Sequence, residues 1–123
     1  MVEVTPQVHD LDQRAMQVFL KAIDVLGGPR SLVERRRLTW LPSLMEAAYA
    51  VVLREEGHKT ADEIASFLGL SGAAVRSLLA SQPEAVEERL KGELGEEQRV
   101  HVAGGLAKLA YRALRQEEEQ AAR

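Results

Sequence analysis

The side chains in this sequence that could do chemistry are mainly arginines and hydroxyls near its middle. Arg76 and Ser77 are adjacent, and Arg35, Arg36 and Arg37 form the only triple basic run. A guanidinium donates paired hydrogen bonds to phosphate oxygens or to the edge of guanine, while a hydroxyl both donates and accepts. These groups are suited to binding an anionic or polar surface and not to breaking a covalent bond.

Residue types that form catalytic or metal centres are present but are not spaced for those roles. The chain has no cysteine, and its histidines, His9, His58 and His101, form no H-x-x-x-H or H-E-x-x-H pair. Neither Gly27-Gly28-Pro29 nor Gly104-Gly105 has the glycine spacing and Lys-Ser/Thr ending of a phosphate loop. We therefore expect no enzyme, no cofactor and no metal ion.

Length and composition predict one globular domain over residues 1–123. The chain is 46% hydrophobic and 28% charged, and its formal net charge of -3 provides no overall positive field to attract nucleic acid. No apolar run approaches the length of a membrane span, and the N-terminus has no apolar signal core. The expected location is the cytoplasm.

Apolar residues recur at helical spacing along most of the chain, which predicts an all-α, compact multi-helix domain. The N-terminal helices are expected within residues 10–37. The first should run from Asp10 to Leu26 and end at Gly27-Gly28-Pro29. Ser31 should cap the second, a short basic helix, with Glu34 completing a capping box.

The C-terminal part is expected to contain a helix over residues 96–120, with residues 116–123 as a frayed tail. Gly104-Gly105 lies inside this helix and marks either a bend or the close approach of another backbone. A charged helix is expected over residues 84–93. A winged variant remains as an alternative, with residues 90–102 as a β-hairpin, because Arg99 to Val102 alternate in polarity.

An apolar stripe with helical spacing lies in the C-terminal helix and is expected to face the core. A dimer seam is the alternative interpretation. The stripe consists of Val102, Leu106, Leu109 and Ala113.

The segment TADEIASFLGLSGAAVRSLLAS, residues 60–81, has the pattern of two short helices joined by a tight turn. Thr60 begins a T-x-x-E capping box, and Ser71 suits the cap of the second helix. Ala65 is small where the helices should cross, and Gly69 can adopt the positive φ of the turn. The remaining inward residues are Ile64, Leu68, Leu70, Val75 and Leu78. Together these features predict a helix-turn-helix, with an ordinary helical hairpin as the alternative.

In a helix-turn-helix, the start of the second helix enters the DNA major groove. Arg76 is the main candidate for a base or phosphate contact, whereas Ala73 and Ala74 can at most contact thymine methyl groups. The full set of candidate DNA-contacting residues is Ser71, Gly72, Ala73, Ala74, Arg76 and Ser77. The candidate phosphate contacts are Lys59, Thr60, Arg35, Arg36 and Arg37.

The stretch WLPSLMEAAYAVVLREEGHKTADEIASFLGLSGAAVRSLLASQPEAV, with the later HVAGGLAKLAYR, resembles a small prokaryotic family of regulatory helix-turn-helix domains. Members of that family are encoded beside KaiC-like ATPases. The resemblance covers residues 40–112 and implies a role in sensory transduction or gene regulation, with such an ATPase as partner. It carries no catalytic or ligand residues.

These observations lead to two alternative functions. The first is a DNA-binding transcriptional or sensory-transduction regulator, for which double-stranded DNA is the partner and a homodimer is the usual binding form. The second is a protein-interaction module in which the small face Gly72-Ala73-Ala74 docks on the KaiC-like ATPase without reading bases.

Overall fold

The computed structural model describes residues 8–34, 41–82 and 96–122, and these ranges contain helices and no strand. The all-α prediction is therefore confirmed for this part of the chain. The described helices are α1 (Val8–Leu26), α2 (Pro29–Glu34), α3 (Leu41–Glu55), α4 (Ala61–Leu68), α5 (Gly72–Ala80) and α6 (Glu96–Ala121).

The long helix α6 lies at the centre of the packing, where it contacts α1, α3 and α5. Its buried residues recur every three or four positions, which places them on one face of the helix. Most of them are small, so the neighbouring helices can approach closely. This face consists of Val102, Ala103, Leu106, Ala107 and Ala110.

The predicted apolar stripe of α6 belongs to this core. Val102 and Leu106 are fully buried within the chain, and Leu109 packs against the same cluster. The dimer-seam interpretation is therefore wrong for Val102 and Leu106, because neither has surface left to offer a second copy.

The turn between α1 and α2 is built by two glycines with positive φ, Gly27 at 119° and Gly28 at 86°. Their amides donate to Asp24 O and Ile23 O, at 3.0 and 2.9 Å, and so satisfy the last carbonyls of α1. The expected cap at Ser31 is wrong. The helix α2 begins at Pro29, whose fixed φ suits the first helical position, and Ser31 lies buried inside it.

Residues 96–102 belong to α6, so the winged variant is wrong for this part of the proposed hairpin. The helix is favoured because Val102 lies on the buried face of α6 that continues to Ala110. Residues 90–95 and the helix expected over residues 84–93 lie outside the described residues.

The expected frayed tail is helical as far as the end of α6 at Ala121. Ion pairs with α1 explain the difference, since Glu117 pairs with Lys21 and Glu118 pairs with Arg14. The acidic residues that suggested a solvated C-terminal end therefore attach the end of α6 to α1.

Within the described ranges, no single helix is both long enough and apolar enough to cross a membrane. The helices α4 and α5 together have the length and apolar composition of a membrane span, but the chain bends by 114° between them.

Candidate nucleic-acid interface

The first helix of the candidate interface, α4, begins with the predicted capping box. Thr60 Oγ1 accepts a hydrogen bond from the Glu63 amide at 3.1 Å, and Glu63 Oε1 accepts from the Thr60 amide at 2.9 Å. The bond from the Thr60 backbone favours the ionised carboxylate and lowers the pKa of Glu63. The amides of the cap residue and of the first turn are thus both satisfied locally, which fixes where α4 begins.

The turn between α4 and α5 has the predicted left-handed glycine. Gly69 has a φ of 72°, and its amide and that of Leu70 both donate to Ala65 O. Ala65 is buried, and Leu70 packs against both apolar clusters of the protein. The chain direction changes by 114° between the two helices.

The second helix, α5, begins at the predicted cap. Ser71 has an extended backbone, and its Oγ accepts a hydrogen bond from the Ala74 amide at 3.0 Å. One face of α5 is buried through Val75 and Leu78. The hydroxyl of Ser71, a candidate DNA contact, therefore also has a structural role.

Because the cap satisfies an amide that would otherwise lack a partner, Ser71→Ala is expected to lower the free energy of unfolding by about 1 kcal/mol. Urea denaturation followed by circular dichroism measures this loss. Ser77→Ala is the matched control, because Ser77 is exposed within the same helix and should change stability by less than about 0.5 kcal/mol. Equal losses in the two variants would contradict the capping role.

Two residues of α6 position the end of α5: Lys108, which the sequence patterns did not single out, and Gly104, which they did. Lys108 Nζ donates to Leu79 O and to Ser81 O, the latter at 2.9 Å, and so caps the last carbonyls of α5. Gly104 lets the α5 backbone approach, because a Cβ placed there would lie 2.6 Å from Ser81 Oγ and closer still to Leu78 O. Of the two interpretations of Gly104-Gly105, close approach is therefore right for Gly104.

Four residues of α5 form its outward stripe, and they recur at the spacing of one helical face. Three of them were predicted as candidate contacts, and Ala80 was not. The stripe consists of Ala73, Arg76, Ser77 and Ala80, all exposed. Gly72 and Ala74, also predicted candidates, are half-buried beside it.

Arg76 contacts an acidic residue of the neighbouring helix. Its Nη1 lies 3.5 Å from Asp62 Oδ1, in the first turn of α4. A Cβ added at Gly72 would lie 2.8 Å from that same oxygen and 3.2 Å from Arg76 Nη1. The ion pair therefore crosses the first turn of α5, directly over Gly72.

The candidate phosphate contacts are only partly placed. Lys59 and Thr60 are exposed just before α4, on the same helix end as Asp62. The basic run at residues 35–37 lies outside the described residues. Between residues 54 and 82 the sequence has three basic and four acidic residues, which gives this region a formal charge of -1. The charged residues are Arg54, Lys59 and Arg76, and Glu55, Glu56, Asp62 and Glu63.

Comparison with protein-family models finds none that matches this chain, and no curated protein or solved structure matches it either. The resemblance to regulatory helix-turn-helix domains stays a prediction. Functional reasoning about this protein therefore starts from the geometry of α4 and α5.

Proposed function

We propose that α4 and α5 form a helix-turn-helix that binds double-stranded DNA, and that the protein is a transcriptional or sensory-transduction regulator. One observation supports this proposal above the others: two capped helices meet at 114° across a left-handed glycine. Helix-turn-helix motifs join their helices at such an angle and place the second helix in the major groove. The exposed stripe of α5 is the surface that would enter the groove.

In this proposal Arg76 makes the main side-chain contact, either to guanine or to a phosphate. Ser77 adds a hydrogen bond, and Ala73 is small enough to let the helix approach the bases closely. Lys59 and Thr60, together with the basic run at residues 35–37, contact the phosphate backbone. Because the described motif has a formal charge of -1, we expect modest affinity that falls as salt is raised.

The test is fluorescence anisotropy with DNA from upstream of the protein's own gene and a scrambled duplex, over a series of salt concentrations. Arg76→Ala is expected to weaken binding about tenfold, since it removes one charged contact. Arg115→Ala is the matched control, because it removes the same charge from an exposed position near the far end of α6. Its affinity should stay within about twofold of the unchanged protein.

Two results would contradict DNA binding through α5. One is the absence of binding to either duplex at the lowest salt. The other is an equal loss of affinity in Arg76→Ala and Arg115→Ala, which would mean that only net charge matters. If the anisotropy measurements show binding, a binding selection from random DNA would identify the preferred DNA sequence.

A second candidate function is docking on another protein, which the family resemblance suggests is a KaiC-like ATPase. The exposed surface near α4 favours this alternative, since Phe67 is 52% exposed beside a groove of about 310 Å³. Phe67 also contacts the ring of Tyr49, with centroids 5.9 Å apart. Exposed aromatic side chains of this kind are common at protein interfaces.

Co-purification with a KaiC-like ATPase from the same genome tests this second function. Ala73→Arg places a bulky charge on the small face of α5, and Gln116→Arg places one on an exposed position of α6 as a control. Docking through α5 predicts that only Ala73→Arg loses the complex. If the complex survives Ala73→Arg, the small face of α5 is excluded as the docking surface. If that complex depends on Phe67, the groove beside Phe67 is the docking surface instead.

A further inference from the structure

The ion pair between Asp62 and Arg76 lies across the surface that the proposed function assigns to DNA. Asp62 Oδ1 is 3.5 Å from Arg76 Nη1, and both groups lie over Gly72 in the first turn of α5. Glycine at residue 72 lets the two side chains meet here without moving, because a Cβ would lie 2.8 Å from Asp62 Oδ1 and 3.2 Å from Arg76 Nη1. The pair is therefore a feature of the α5 surface itself.

The contact contributes little to folding, because the side chains of Arg76 and Asp62 are 63% and 85% exposed. Exposed ion pairs are weak, since water competes for both groups and the side chains lose freedom when they pair. Its main consequence is for binding. A guanidinium already facing a carboxylate must leave it, or share it, before it can contact a phosphate.

The position of the carboxylate adds to this effect. The N-terminus of a helix carries a partial positive charge and favours anions, and Asp62 places its negative charge beside the first turn of α5. A DNA phosphate approaching that turn would therefore meet a like charge. Both effects act in the same direction and weaken binding.

We propose that Asp62 restrains DNA binding by competing with phosphate for Arg76 and by repelling phosphate from the first turn of α5. This inference rests on the proposed function, because it concerns regulation of the same surface. Asp62 is then a residue that sets affinity, and any change that neutralises its carboxylate strengthens binding.

Asp62→Asn tests the inference, with Glu63→Gln as the matched control. Each variant removes one negative charge from the first turn of α4, but Glu63 is directed to the Thr60 amide and glutamine preserves that capping bond. With a random-sequence duplex at low salt, Asp62→Asn is expected to raise affinity about fivefold, and Glu63→Gln less than about twofold. In an Arg76→Ala background the gain from Asp62→Asn should fall to about twofold.

The outcomes separate this inference from the proposed function. If neither the unchanged protein nor Asp62→Asn binds DNA, the proposed function fails, and the inference fails with it. If the unchanged protein binds and Asp62→Asn binds equally, only the inference is overturned. Equal gains from Asp62→Asn and Glu63→Gln also overturn it, since net charge would then be the cause. Thermal unfolding by circular dichroism confirms that each variant is folded.

Discussion

Gly104→Ala is expected to lower the free energy of unfolding by about 2–3 kcal/mol, near the upper end of overpacking penalties. The added methyl group would lie 2.6 Å from Ser81 Oγ and closer still to Leu78 O. Leu78 O belongs to the backbone of α5, so the helix itself must move to make room. The gain in helix propensity from glycine to alanine, about 1 kcal/mol, is too small to offset this displacement.

Gly72→Ala is the matched control, because it makes the same substitution in a helix of the same interface. Its methyl group would meet only the ends of two flexible exposed side chains, Asp62 and Arg76, which can turn away. Its stability should stay within about 0.5 kcal/mol of the unchanged protein. Urea denaturation followed by circular dichroism measures both variants, and equal stability of Gly104→Ala and Gly72→Ala would contradict the close approach of α5 to α6.

The position of Gly104 also connects stability with function. The outward stripe of α5 is presented at an angle that depends on how the end of the helix rests on α6. Lys108 holds the carbonyls of this end, and Gly104 sets how near they come. Under the proposed function, we expect folded Gly104→Ala protein to bind DNA more weakly than the unchanged protein, because its α5 is displaced.

Arg14→Met is expected to lower the free energy of unfolding by about 2 kcal/mol at neutral pH, since hydrogen bonds to charged groups are stronger than neutral ones. Arg14 Nε donates to Glu56 Oε2 at 2.9 Å, and its Nη2 donates to Glu118 Oε1 at 2.8 Å. The guanidinium also lies 5.9 Å from the ring centre of Tyr111. One side chain of α1 therefore joins the end of α3 to the end of α6.

The loss in Arg14→Met should depend on pH. The hydrogen bond from Arg14 lowers the pKa of Glu118 below its ordinary value of 4.5. A carboxylate with a lowered pKa in the folded state stabilises the protein above pH 4.5, and that contribution disappears as pH falls through the lowered pKa. The difference between the unchanged protein and Arg14→Met should therefore be largest near neutral pH and shrink below pH 4.5.

Urea denaturation at pH 7, 5 and 3 measures this dependence. Lys21→Met is the control, because it removes one charge from the same helix, and Lys21 pairs mainly with the exposed carboxylate of Glu117. Its loss should be clearly smaller than that of Arg14→Met, because exposed ion pairs contribute little to stability. A loss in Arg14→Met that is the same at all three pH values would contradict the role of the ion pairs with Glu56 and Glu118.

The sequence was most informative where the interaction partners are close along the chain. The capping box of Thr60 and Glu63 spans three residues, as does the bond from the Ala74 amide to Ser71. The left-handed conformation of Gly69 is equally local. Residue type and spacing alone predict such features, because the backbone groups that need partners lie within one helical turn.

Local patterns failed where a second local preference or a distant partner competed. Ser31 is a good cap by type, but Pro29 two residues earlier begins the helix instead. The acidic end of α6 looked solvated, yet Glu118 pairs with Arg14, which is 104 residues away in the sequence. A charge run does not show by itself whether it faces water or an opposite charge.

By itself, the sequence determined the all-α class, the inward faces of the helices and the caps of α4 and α5, because these depend on periodicity and on bonds within one turn. Only the tertiary structure decided that Gly104 admits the backbone of α5, that Lys108 holds its end, and that Asp62 faces Arg76. Each of these contacts joins residues on different helices. Their geometry is set by how α4, α5 and α6 pack, which no local pattern contains.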